Sequence, residues 1–121
     1  MESFDIEIYK THTEFILQTV AQIRKDFAMF GMQIEFTGTA DLAYDEMFAQ
    51  LTVHVSGLMD TNLGRLNALL YQVDVNENRI EEAQVQHPGW KYAEIISELI
   101  IYRELKKVLI RNYFKNNPDK L

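Results

Sequence analysis

Tyr9, Thr13, Ile16, Val20, Ile23, Phe27 and Phe30 follow one another at steps of 4, 3, 4, 3, 4 and 3 residues. Only Thr13 in that series is polar, so nearly three heptads carry a single apolar seam. A strand cannot use this spacing, because its side chains alternate every second residue; a helix with one side laid against other helices can. The seam predicts a first helix from about Ile6 to Phe30, with Gln18, Arg24 and Lys25 off the seam and Gly31 as its C-terminal stop.

Past Gly31, the residues Met32, Ile34 and Phe36 alternate with polar neighbours. A lone short strand would have nothing to pair with, so 31–38 reads as an extended segment laying three apolar side chains over a helical core. Thr39 or Asp41 is placed to cap a second helix, roughly Leu42 to Leu58, whose stripe is Tyr44, Met47, Phe48, Leu51, Val55 and Leu58. Leu51–Ser56 also alternates and is rich in β-branched residues, so pairing of 32–36 with 51–56 is the competing expectation; the longer window favours helix. Asp60-Thr61 opens a third helix with Leu63, Leu66, Leu70 and Val73 on its face, and Gly64 suggests a close helix approach there. Asp74-Val75-Asn76-Glu77 reads as a new cap before a short helix to about Gln86. His87-Pro88-Gly89 stops that helix, and a long last helix runs from about Trp90 to Lys115. The fold expected is one all-α domain over 1–121, about five helices with a long first and last, and 116–121 as a frayed tail.

Charge narrows the partners. The net charge is −6, which repels nucleic acid before contact. Residues 1–102 hold 6 Lys/Arg against 16 Asp/Glu, whereas 103–121 hold 6 Lys/Arg against Glu104 and Asp119. That basic end makes Arg103, Lys106, Lys107, Arg111 and Lys115 candidate anion contacts, set against the plainer role of complementing a helix C-terminus. The chain has no Cys, no apolar run long enough for a membrane span, and an acidic start of the wrong sign for a secretory leader. A cytoplasmic setting is the resulting expectation.

The last helix is apolar on two sides. Tyr92, Ile95, Ile96, Leu99, Ile110, Tyr113 and Phe114 form one broad face, and Ile101, Leu105, Val108 and Leu109 a second stripe. Such a helix either runs through the centre of its own fold or is shared with a second copy, and the sequence leaves both open. The second arrangement makes Ile101, Leu105 and Val108 the residues of a homodimer contact or of a contact with another protein. Arg103 falls on the broad face and must be paired if it is buried; Asp74, between Val73 and Val75, is the expected partner.

No catalytic constellation is present. The three serines sit in no nucleophile elbow, the five glycines form neither a dinucleotide fingerprint nor a phosphate loop, and there is no Glu-x-x-His pair for a helical metal centre. His12 reads as a partly buried, hydrogen-bonded residue. Asp45-Glu46 and Glu81-Glu82 read as solvated faces, since neighbours on a helix diverge by about 100°. No metal or cofactor is expected. Trp90 reads as a plug at one end of the core, with a ligand platform as the rival.

Leu66-Asn67-Ala68-Leu69-Leu70-Tyr71-Gln72-Val73-Asp74-Val75-Asn76-Glu77, followed by Ala93 to Val108, resembles a group of short bacterial proteins with a leucine-rich helix, an aspartate corner and a closing helix with an inward Arg. The resemblance covers about the second half of the chain. It implies an all-helical fold and a bacterial cytosolic setting, and it brings no activity, ligand or catalytic residue with it. The functional expectation is a non-enzymatic interaction or adaptor protein that self-associates. The alternative is a ligand-binding or enzymatic pocket between helices, lined by Trp90, Tyr92, Tyr44 and Met47 with Arg103 as anchor for an acidic ligand. Anion or nucleic-acid docking by the basic last helix is the third.

Overall fold

The structure, a computed structural model, describes residues 12–117 and 119. They form α1 (Thr13–Ala28), α2 (Ala43–Thr61), α3 (Leu63–Val73), α4 (Glu77–Gln86) and α5 (Tyr92–Asn116), with a 3-10 turn at Ala40–Leu42 before α2. No strand occurs among the described residues, and the fold is an all-α bundle. The expected helix start at Ile6, the seam residue Tyr9 and the tail residues Pro118, Lys120 and Leu121 lie outside the described residues.

The seam of α1 does what its spacing requires. Val20, Ile23 and Phe27 are buried, Ile16 and Phe30 pack against the core, and Thr13 is exposed. Gly31 stops the helix from a left-handed conformation, φ +74°. Its N–H bonds Ala28 O and the Met32 N–H bonds Phe27 O, both at 3.0 Å, which satisfies carbonyls the helix would otherwise strand.

Residues 32–36 are extended but pair with no strand; 51–56 lie within α2. Ile34 is buried, and Met32 and Phe36 pack on the core. Side chains of α2 take the place of a partner strand. Gln50 accepts from the Glu35 N–H and donates to the Glu35 carbonyl, each at 2.7 Å. Glu46 accepts from the Thr37 N–H at 3.0 Å and from its hydroxyl at 2.6 Å, and His54 Nε2 bonds Gln33 O at 3.1 Å. Glu46, Gln50 and His54 are four residues apart and so share one helix face, matched to every second residue of the extended chain. Glu46 is therefore a structural ligand of the segment, which corrects the solvated reading of Asp45-Glu46.

Several boundaries differ from the sequence expectation. Neither Thr39 nor Asp41 caps with its side chain, and Leu42 stands at the N-cap of α2. Asp60 and Thr61 close α2 instead of opening α3; Asn62 caps α3 by accepting from the Arg65 N–H at 3.0 Å. Leu63 is consequently 59% exposed, and Leu69 joins Leu66, Leu70 and Val73 in the core. Gly64 marks no close approach, since a Cβ there would meet only Asn62 Oδ1 at 3.7 Å. The α4 cap is Asn76, accepting from the Arg79 N–H at 3.1 Å, while Asp74 ends α3. α5 begins at Tyr92, with the Glu94 carboxylate accepting from the Lys91 N–H at 2.7 Å.

α5 is the axis of the bundle and touches each of the other four helices. Its second stripe points into the core: Ile101, Leu105 and Val108 are 7, 4 and 0% exposed, and Leu109 is buried with them. The second stripe is thus covered within the chain, while on the broad face Ile110 and Phe114 are partly buried and Tyr113 is 38% exposed.

Candidate functional site

Two helices present parallel polar stripes to one cleft. Arg79, Glu82, Ala83 and Gln86 of α4, and Leu99, Tyr102, Arg103 and Lys106 of α5, each stand at i, i+3, i+4 and i+7 and so lie on single helix faces. Asp74, Val75 and Asn76, the corner between α3 and α4, line the same space, a cavity of about 520 Å³. The corner is rigid by construction. Asp74 adopts a left-handed conformation (φ 62°, ψ 50°), and the Val75 N–H returns to Leu70 O at 2.9 Å. The structure brings Arg103 to Asp74, with a terminal guanidinium nitrogen on Oδ2. That contact uses one edge of a group with five N–H donors and leaves the remainder oriented by the pair. Arg79 and Lys106 add two further cations. The cleft therefore sets three cations against Asp74 and Glu82, in a chain whose net charge is −6.

A second polar cluster ties the α4–α5 loop to α2. The Glu98 carboxylate accepts from the Tyr44 hydroxyl at 2.7 Å and lies 3.2 Å from His87 Nε2. Trp90 stacks on the His87 ring with centroids 4.1 Å apart and meets Phe48 edge-on at 5.8 Å. Burial, followed by the adjacent Glu98 carboxylate, pushes the Tyr44 hydroxyl well above its ordinary range, so it stays a proton donor. Trp90 is 36% exposed and lies against the His87 and Phe48 rings outside the buried core, so it does not plug the core as expected. Among the described residues no group of three metal-ligating side chains occurs.

The expected inter-helix pocket is not one site. Tyr44 and Met47 line a separate hollow of about 210 Å³ with Ile101 and Leu105, and neither Trp90 nor Tyr92 reaches it. Tyr92 and Arg103 are eleven residues apart on α5, about 16 Å of helix rise. Arg103 belongs to the α4–α5 cleft instead. The basic run also divides. Lys107 pairs with Glu104 at 3.0 Å, Arg111 donates to Gln22 at 3.3 Å, Lys115 is exposed near the end of α5, and only Arg103 and Lys106 line the cleft. His12 stands exposed before α1 with its ring on Phe15, not partly buried.

Arg79, Glu82 and Tyr102 were missed by sequence reasoning, although their three- and four-residue spacing was a usable signal. His87 with Glu98, and Asp26 with Glu104, gave no signal, because each pair joins residues far apart in sequence. Comparison of the chain with known protein families, with curated proteins and with solved structures yields no match.

Proposed function

We propose that the protein is a non-enzymatic binding domain whose α4–α5 cleft takes a small anionic ligand, a carboxylate or phosphate compound. The observation that carries this reading is the convergence of Arg79, Arg103 and Lys106 on one cavity of about 520 Å³, a size within the range that holds small molecules. Asp74 orients Arg103, so the guanidinium loses less freedom when a ligand docks. Leu99 and Tyr102 supply an apolar wall for the ligand's body.

Amide NMR titration with inorganic phosphate and with succinate tests it. Saturable shifts confined to 74–86 and 99–106 are expected, weakening as salt rises and falling at least fivefold in apparent affinity in Lys106→Met and Arg79→Met. Shifts of equal size at Lys115 and Arg111, or none at all, would overturn it.

A further inference from the structure

We propose that Asp26 of α1 and Glu104 of α5 share one proton, and that this proton is a pH-operated latch holding the two helices together. Glu104 is 0% exposed and Asp26 3%, although both are carboxylates on a bundle interior. Their surroundings hold too few donors for two anions. Asp26 Oδ1 accepts from Gln22 Nε2 at 3.1 Å, and Lys107 Nζ stands 3.0 Å from Glu104 Oε1. Asp26 Oδ2 and both Glu104 carboxylate oxygens accept no hydrogen bond among the described residues, the Lys107 contact being an ion pair by distance alone. With both groups ionised, the buried cluster would hold two negative charges against the single ammonium of Lys107. One proton placed between the carboxyl groups supplies the missing donor and leaves the cluster neutral.

Among the described residues, the following charged groups of the packed elements are engaged elsewhere or face outward. Arg111 is engaged by Gln22, Arg65 of α3 donates to Phe30 O, and Arg24 donates to Ile34 O. Glu46 and His54 of α2 are turned to the extended segment, Asp45 and Asp60 are exposed, and Arg79 and Glu82 of α4 line the cleft. Burial above all, with Asp26 adding and Lys107 opposing, pushes the Glu104 carboxyl from its ordinary 4.5 up to about 8. The sign follows by linkage. A folded-state value above the unfolded one gives stability that is complete below about pH 4.5 and is lost as pH rises towards about 8.

Thermal unfolding of the full chain from pH 5 to pH 9 tests the latch, with Glu104→Gln as the neutral analogue of the protonated state. The histidines are common to both proteins and cancel in the difference. The gap between the two midpoints widens as pH rises, and between pH 5 and pH 9 wild type loses about 4 °C or more against E104Q. Parallel curves would overturn the proposal. Carbon-detected NMR of the Glu104 side-chain carboxyl in wild type gives an independent reading: a midpoint above pH 7 is expected, and one near the ordinary 4.5 overturns it.

Discussion

Asp74 is held by its backbone and its side chain for different reasons. It is the one non-glycine residue with positive φ among those described, and that conformation closes α3 and aims the chain into α4. Glycine adopts it without a steric penalty, whereas a residue with a Cβ pays about 1 kcal/mol, somewhat less for Asp. Its carboxylate meanwhile fixes Arg103 in a half-exposed ion pair, worth at most about 1 kcal/mol. Asp74→Gly should trade the lost pair for a relaxed backbone and sit within about 0.5 kcal/mol of wild type. Asp74→Ala loses the pair and keeps the strain, so urea unfolding should place it about 1 kcal/mol below D74G. Equal stabilities for the two variants would show that the left-handed corner carries no cost. Asp74 was legible in the sequence as a charge partner for Arg103. Its left-handed conformation was not, because Asp is compatible with a helix N-cap and with a helix C-terminus alike.

At the scale of elements, the segment 32–36 shows how a short apolar alternation settles without a sheet. Its alternation was read correctly, but the residues that satisfy its backbone come from the polar side of α2, where the sequence reading had assigned Glu46 to solvent and singled out neither Gln50 nor His54 for this role. Gln50 does most there, serving both backbone polar groups of one residue, Glu35. Replacing it with Ala removes these two exposed hydrogen bonds and a third, from Gln50 Nε2 to Glu46 O at 3.1 Å. The expected cost is about 1 kcal/mol in urea unfolding, with faster amide exchange at Glu35 and little change within α2. Unchanged exchange at Glu35 would mean that Ile34 burial alone holds the segment. The β-branched run at 51–56 remains helical because Leu51 and Val55 fall one turn apart on the core face. Burying those side chains outweighs a β-propensity spread over about 1 kcal/mol.

For the whole molecule, the decisive arrangement is the central position of α5. Leu105 is 4% exposed and is surrounded by its own chain. Leu105→Ala should destabilise by about 2–5 kcal/mol, by the same amount at protein concentrations a hundredfold apart. A melting temperature that climbs with concentration would instead place this stripe at a contact between copies, since only association makes stability depend on protein concentration.

Hydrophobic spacing by itself determined the class of fold, the apolar faces of α1 and α2, the Gly31 stop and the extended character of 32–36. These are local properties: a period of 3.6 residues, a φ that glycine tolerates, a run too short to pair. Helix starts at Asn62 and Asn76 were displaced from the sequence expectation because Asp, Thr and Asn all cap, and tertiary packing selects among them. Tertiary structure alone decided which stripe of α5 faces inward, that Arg79 stands beside Arg103 and Lys106, and that Asp26 meets Glu104. Each of these depends on the position of one helix relative to another. That position is fixed by the summed burial of many side chains, and no single spacing along the chain encodes it.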